Sequence, residues 1–198
     1  MRVLGIDPGS ETTGWGVVEG DATGNRYSLV EFGAIKLSSS ASFSSRLLKI
    51  SQALEEVIDR HQPTACAIEE AFYSVNPKVT LKLGQVRGVA LLVAERAALE
   101  IAEYSPRRVK QTVAGYGNAD KQQVQQMVRV LLSLRAIPEP HDAADALAVA
   151  ICYFHHAGVS QRLVAAVAPR RFDPPGRRLV GCRRRWRRLG ENLHRNAH

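Results

Sequence analysis

The chain has 198 residues, of which 45% are hydrophobic and 23% charged, a balance that excludes an intrinsically disordered protein. Its longest uncharged apolar run, residues 146–154, is far shorter than the roughly 20 residues of a membrane-spanning helix, so we expect no membrane segment. The net charge of +8 lies entirely in the tail, because residues 1–168 hold 17 Lys+Arg and 17 Asp+Glu. Overall basicity therefore does not mark the folded part as a nucleic-acid-binding protein.

Three early segments predict strands. Residues 3–6 form a short apolar run that ends at Asp7, and a turn over residues 8–10 leads to second and third strands at 14–18 and 27–35. Short connections between successive strands predict an antiparallel meander. After a helix capped by Ser42, residues 65–68 predict a fully buried strand that ends at Glu69.

Later segments alternate between helix and strand. A long helix is expected at 79–98 and a last strand at 101–104, followed by helices that begin near Ser105, include 124–134 and close with 140–155. This order predicts an α/β domain with a mixed sheet and helices on both faces. We place this domain at residues 1–157. Residues 158–198 become rich in Pro, Gly and Arg, and predict a basic, disordered tail.

The three cysteines, Cys66, Cys152 and Cys182, form no C-x-x-C pair. Their odd number and their spacing favour a reducing cytoplasm without a disulfide framework or a structural zinc site. Because the first residues soon reach an acid at Asp7, we also expect no signal peptide.

Four acidic residues stand where chemistry is expected. Asp7 and Glu69 end buried strands, and strand ends at one edge of an α/β sheet commonly form ligand sites. Asp142 and Asp145 are three residues apart at the start of a helix and therefore share one face. Four clustered carboxylates need a cation, and oxygen ligands favour Mg²⁺ or Mn²⁺. Two such ions would support phosphodiester hydrolysis without a nucleophilic side chain.

Structural explanations exist for two of these acids. Asp142 follows Pro140 and could be only a helix cap, and Asp7 with Pro8 and Gly9 could form a simple turn. Asp145 interrupts an otherwise apolar helix start, and Glu69 directly follows a run that looks buried. Charged groups in such places require a partner or a metal.

Five motifs resemble the RuvC family of bacterial Holliday junction resolvases. They are GIDPGS at 5–10, AIE at 67–69, LKLGQVRG at 81–88, VKQTV at 109–113 and DAADALA at 142–148, in the family's order. The resemblance covers residues 1–157. It implies a ribonuclease H-like fold, a homodimer and Mg²⁺-dependent paired nicking of four-way DNA junctions beside the RuvA–RuvB branch-migration complex in recombination and repair.

On this resemblance Asp7, Glu69, Asp142 and Asp145 are the catalytic residues and the ligands of two Mg²⁺ ions, for which Mn²⁺ could substitute. The motif selects Glu69 over its neighbour Glu70, and strand alternation agrees with the choice. His141 is either a helper at this site or a solvated residue before the helix.

Candidates for DNA contact lie around the motifs. Phe72 or Tyr73 could stack on an unpaired base beside the metal centre, and the resemblance favours Phe72. Basic residues around the motifs are candidates for phosphate contacts: Lys78, Lys82, Arg87, Arg107, Arg108, Lys110 and Lys121. Of these, Lys110 and Lys121 match family positions. Gly84 and Gly88, four residues apart on one helix, predict close approach of DNA or of a second subunit.

Two other functions fit part of the sequence. The turn at residues 7–10 with Thr12 and Thr13 resembles the phosphate loop of actin-like and sugar-kinase-like ATPases, but the chain is short for two such lobes. A junction-binding module without catalysis is the second, and the presence of all four acids disfavours it. An arginine run at 183–188 lies outside the resemblance and could add salt-sensitive DNA affinity.

Overall fold

The computed structural model describes residues 1–21, 26–70 and 76–167, with side chains of the last helix described through Gly158. It contains a five-stranded sheet whose strands are β1 (Arg2–Asp7), β2 (Thr12–Gly20), β3 (Tyr27–Lys36), β4 (Ala65–Glu69) and β5 (Glu100–Tyr104). Their spatial order is β3-β2-β1-β4-β5. Strands β1, β2 and β3 pair antiparallel, and β4 joins β1 and β5 in parallel. The predicted meander with added parallel strands is confirmed.

Five helices flank the sheet in the described part of the chain. They are α1 (Phe43–His61), α2 (Pro77–Arg96), α3 (Pro106–Ala114), α4 (Lys121–Leu131) and α5 (His141–Val167). The Ser42 side chain caps α1 by accepting from the backbone N–H of Ser45, as predicted. Helix α2 begins two residues before the predicted start, since Asn76 caps it and Pro77 suits the first turn.

Helix α5 continues to Val167 rather than ending near residue 155. Beyond Val167 the predicted tail, with Cys182 and the arginine run, lies outside the described residues. The division of the chain at residue 157 therefore stays a prediction.

Each face of the sheet packs against its own set of helices. Alternate strand residues, such as Leu4 and Ile68, meet α1 and α2 in one core, whereas Val3 and Ala67 meet α3, α4 and α5 in the other. This arrangement confirms helices on both faces. Cys66 and Cys152 are buried free thiols in these cores. Within the described residues, no helix is long and apolar enough to cross a membrane.

Candidate active site

Asp7 and Glu69 lie side by side at one edge of the sheet. Strands β1 and β4 run parallel with Ile6 opposite Ile68, so the acids that follow emerge next to each other. Their carboxyl groups share a hydrogen bond, which requires a proton. Burial, followed by the charge of Asp7, raises the pKa of Glu69 to about 9. Burial also raises the pKa of Asp7 to about 6. Because the pKa of Glu69 is raised further than that of Asp7, the shared proton favours Glu69.

Glycines in the sheet allow α5 to bring two more acids to this edge. A Cβ at Gly14 would overlap the carbonyl oxygen of Asp142, and a Cβ at Gly5 would overlap that of Ala146. The missing side chains let the first turns of α5 lie directly on β1 and β2. Asp142 and Asp145 are consequently half-buried, and their charges act on Asp7.

Lys121 joins this cluster from α4. Its Nζ lies 2.7 Å from Oδ2 of Asp145. A capping box fixes the helix start: the Asp120 side chain accepts from the Gln123 backbone N–H, and the Gln123 side chain accepts from that of Asp120. Partial burial opposes the charged form of Lys121, but the hydrogen bond to Asp145 raises the lysine's pKa overall. An ammonium group is thus held against the acids.

The single ammonium group of Lys121 does not offset the repulsion among the clustered carboxylates. Burial raises the pKa of Asp145 despite the ion pair with Lys121, and the charge of Asp142 acts in the same direction. Asp7, Glu69 and Asp145 all have raised pKa values, since each favours its neutral form in this enclosed, acidic environment. A bound cation would relieve this repulsion.

The donor atoms suit a divalent cation, although they are not gathered around one point. Across residues 1–21, 26–70 and 76–167, no three carboxylate, imidazole or thiol side chains converge closely enough to hold an ion as they stand. A proton joins Asp7 to Glu69, and an ammonium group occupies Asp145. A hard divalent cation prefers carboxylate oxygens and displaces such protons when it binds. The residues therefore fit a metal that replaces both partners.

A cavity of about 170 Å³ opens beside the acids. Its polar lining consists of Glu69, Lys110, Lys121 and Asp145, and its apolar lining of Pro106, Val109, Val124 and Ala148. The charge of Lys110 lowers the pKa of Glu69 against the larger effect of burial. Two ammonium groups next to carboxylates suit a phosphate ester whose reacting centre faces the acids.

The neighbouring candidates differ in placement. Glu70 is exposed, and its backbone N–H donates to the carbonyl oxygen of Tyr104, whereas Glu69 is half-buried beside Asp7. His141 is exposed, and its charge acts on Asp145, so it lies near the cluster.

The predicted DNA-contact residues divide into two groups. Lys110 and Lys121 line the cavity beside the acids. Lys82 and Arg87 lie on α2 instead: Lys82 Nζ is 5.8 Å from the centre of the Phe43 ring, and Arg87 forms an ion pair with Glu103. Phe72 and Tyr73 fall outside the described residues.

Thr13 contributes to the site although its role was not predicted. Its buried hydroxyl donates to the carbonyl oxygen of Gly9 at 2.9 Å and accepts from the Gly9 backbone N–H at 3.3 Å. These contacts fix the turn that follows Asp7. The D-x-x-Q spacing of Asp120 and Gln123 carried a capping signal in the sequence, whereas nothing local indicated the contact of Thr13.

Comparison with known proteins agrees with this arrangement. The family described as Crossover junction endodeoxyribonuclease RuvC matches residues 3–153. The chain is 52% identical over 155 residues to a protein of that name from Heliobacterium modesticaldum, covering 78% of this chain and 94% of the relative. It is 48% identical to one from Caldanaerobacter subterraneus subsp. tengcongensis over 163 residues, covering 82% of this chain and 98% of the relative.

A solved structure is similar over the same region. The Thermus thermophilus RuvC in complex with a Holliday junction substrate superposes with a TM-score of 0.75 and 35% identity, covering 81% of this chain and 96% of that chain. The family match at residues 3–153 includes nearly all of the sheet, the part of α5 that carries Asp142 and Asp145, and all five motifs. With its ribonuclease H-like sheet and four acids at one sheet edge, this chain belongs to the RuvC family of crossover junction endodeoxyribonucleases.

Proposed function

We propose that this protein resolves four-way DNA junctions by metal-dependent hydrolysis of one phosphodiester bond in each of two symmetric strands. Family membership supports the reaction class, and the similar Thermus protein was solved on a Holliday junction. The observation that carries the proposal is the grouping of Asp7, Glu69, Asp142 and Asp145 beside a cavity lined by Lys110 and Lys121. Acids for a metal and ammonium groups for a phosphate then meet at one place.

The four carboxylates would hold two Mg²⁺ ions, with Mn²⁺ as a substitute, because oxygen ligands favour hard cations. When bound, such ions activate water and stabilise the leaving oxygen. The chain's own groups do the rest. To hold the ions, Glu69 would have to lose the proton that it shares with Asp7, and Asp145 would have to part from the Lys121 ammonium group. Lys110 and Lys121 would then be available to hold the phosphate.

The partners follow from the substrate. Two equivalent strands must be cut, so a two-fold homodimer would place one site on each. One face of α2 suits the second subunit: Leu81 and Leu92 are 68% and 59% exposed, and no neighbouring atom of the described residues lies within 4 Å of a Cβ built at Gly84 or Gly88. We further propose a cytoplasmic location, action beside the RuvA–RuvB complex, and stacking of Phe72 on a base at the crossover.

Replacing Asp7 tests the catalytic assignment. Asp7→Asn keeps the shape of the side chain but removes a charge, so nicking of a synthetic four-way junction in Mg²⁺ should fall at least about a hundredfold. Glu70→Gln is the matched control, since it neutralises the exposed adjacent acid, and it should cut at the parent rate.

Two results would contradict the proposal. Nicking by Asp7→Asn at the parent rate would remove Asp7 from the catalytic centre. ATP turnover by the parent without any junction nicking would instead favour the ATPase alternative.

A further inference from the structure

A second, basic pocket lies outside the carboxylate cluster. It has a volume of about 560 Å³ and is lined by Ser105, Arg107, Arg108, Gln111, Thr112 and His156. No carboxylate is among these lining residues, although acids and bases balance across residues 1–168. Two guanidinium groups with hydroxyl, amide and imidazole groups favour an anion and disfavour a cation.

Helix α3 separates this pocket from the cavity beside the acids. One side of the helix, with Pro106, Val109 and Lys110, lines the carboxylate cavity. The other side presents Arg107, Arg108, Gln111 and Thr112 to the basic pocket. One rigid element thus carries basic groups toward two places, and their spacing is fixed by the helix.

The basic groups are held in place by their neighbours. Arg108 Nε donates to Nε2 of His156 at 3.1 Å, and Arg108 Nη2 lies 3.3 Å from Nδ1 of the same ring. The His156 ring stacks on Tyr104 with 5.3 Å between centroids. Burial, then the charge of Arg108, lowers the pKa of His156, which keeps the imidazole neutral and able to accept. Arg108 therefore has a fixed orientation and spends only part of its five N–H donors on the ring.

The side chain of Arg107 also has a defined place. A Cβ built at Gly117 would lie 2.8 Å from Cγ of Arg107, so the absence of a side chain in the α3–α4 connection gives the arginine room. At the opposite wall, the Thr112 hydroxyl accepts from the Cys152 thiol at 3.5 Å, which ties α3 to α5. The Arg107 and Arg108 side chains are exposed, and the contacts with His156 and with the α3–α4 connection orient them at the mouth of a pocket between packed helices.

Helix α5 sets the distance between the two sites. It carries both Asp145 and His156, and eleven residues at the helical rise span about 16 Å. In duplex DNA, neighbouring phosphates of one strand advance about 3.4 Å along the axis but lie about 7 Å apart in a straight line, because the strand winds around the axis. A distance of about 16 Å therefore corresponds to about two to three nucleotide steps.

We propose that the basic pocket binds a backbone phosphate of a junction arm, about two to three nucleotide steps from the phosphate that is cut. This inference rests on the proposed function and adds a second contact that anchors the arm. It assigns Arg107 and Arg108 to positioning of DNA and not to bond cleavage. A phosphate contact of this kind is independent of base sequence.

Salt dependence of binding tests the assignment in the full chain. The double variant Arg107→Ala/Arg108→Ala should bind a four-way junction in EDTA about tenfold more weakly, and the slope of log K against log salt should shrink by about one to two. Arg96→Ala is the matched control, because it removes an exposed arginine paired with Glu55 on the other face of the sheet and should keep the parent slope. Nicking in Mg²⁺ should stay at the parent rate in Arg96→Ala.

A modified junction tests the source of the phosphate. Methylphosphonate linkages about two to four steps from the phosphate that is cut remove charge without shortening the arms. On this junction the salt slope of the parent should shrink by about one to two, as it does in the double variant on the unmodified junction. The parent and the double variant should then have equal salt slopes. The parent measurement decides the matter even where the double variant does not fold, as judged by circular dichroism.

Three results would overturn the inference. The first is a salt slope in the double variant equal to that of the parent. The second is a salt slope that still differs between the double variant and the parent on the methylphosphonate junction. The third is a parent salt slope that is the same on the methylphosphonate junction as on the unmodified junction. The pocket would instead bind a free anion if inorganic phosphate raised the Tm of the parent but not of the double variant, while both proteins had equal salt slopes on the unmodified junction. Failure of the parent to nick any junction would refute the proposed function, whereas the salt slopes would still decide whether the pocket holds DNA.

Discussion

At the scale of single residues, the central feature is a pair of carboxyl groups that cannot both be charged in the metal-free protein. Glu69 holds a proton for Asp7, and Lys121 covers Asp145. In the metal-free protein, the Glu69 proton and the Lys121 ammonium group reduce the repulsion that a bound divalent ion would otherwise reduce. Stability and metal binding should therefore both depend on pH.

The metal-free protein should become less stable as pH rises. The pKa of Glu69 is about 9 in the folded chain, compared with about 4.3 for an unfolded glutamate, so the folded state binds more protons between these values. Asp7, with a pKa of about 6, adds to the effect at the acidic end. The Tm measured in EDTA should fall between about pH 5 and pH 9, and Glu69→Gln should flatten that decline.

Magnesium should act in the opposite direction because it competes with these protons. It should raise the Tm more at pH 8 than at pH 5, and less in Glu69→Gln than in the parent. Glu70→Gln should follow the parent throughout. A Tm in EDTA that rises with pH, or a decline that Glu70→Gln removes, would be inconsistent with the shared proton.

Sequence patterns reach some of these residues and not others. Asp7 and Glu69 end apolar runs, and the spacing of Asp142 and Asp145 places them on one helix face. Local sequence patterns therefore identify these four acids as candidate site residues. The pairing of Arg87 with Glu103 joins a helix to a strand whose register no local pattern reveals. Contacts between distant segments depend on how helices and strands pack together, and the local periodicity of a sequence does not predict that packing.

At the scale of elements, close packing of α5 on the sheet decides where its acids lie. Gly5 and Gly14 leave room for the helix backbone, and Gly16 leaves room for the Leu147 side chain. The apolar pattern predicts a helix over residues 140–155, but how closely this helix approaches the sheet depends on the absence of side chains at glycines in β1 and β2. The hydrophobic pattern of a helix does not contain that information.

One added methyl group should therefore displace the site. Gly14→Ala would force its Cβ into the Asp142 carbonyl, costing about 1–3 kcal/mol in the free energy of unfolding and lowering junction nicking. Gly84→Ala adds the same group on the proposed dimer face, where no neighbouring atom of the described residues lies within 4 Å, so it should keep or raise the stability of the single chain by up to about 1 kcal/mol. Urea denaturation compares the two variants, and the nicking assay compares Gly14→Ala with the parent. Equal stability and activity in Gly14→Ala and the parent would show that α5 tolerates a more distant position.

At the scale of the whole molecule, the proposed dimer relates two active sites to two strands. Leu81 and Leu92 leave large apolar surfaces on α2 in a single chain. Burying them against a second copy would relate two equivalent carboxylate clusters by a two-fold axis. This symmetry is what turns a single-strand nick into paired cutting.

A charge on this face should separate the subunits. Leu81→Glu should lower self-association at least about tenfold in sedimentation velocity, because an interface must then bury a carboxylate. It should also replace paired cuts by slow single nicks. Leu48→Glu alters a leucine on α1 that is 59% exposed, and it should remain dimeric. A parent that is monomeric at every concentration would contradict the dimer, as would dissociation by Leu48→Glu alone.

The most direct measurement of the whole account is strand cleavage of a mobile four-way junction beside a linear duplex of the same sequence, with Mg²⁺ and with EDTA. The account predicts symmetric paired nicks in the junction, none in EDTA, and little cutting of the duplex. Equal cutting of both substrates would leave a metal-dependent nuclease but contradict junction resolution, and cutting in EDTA would contradict the role given to the four carboxylates.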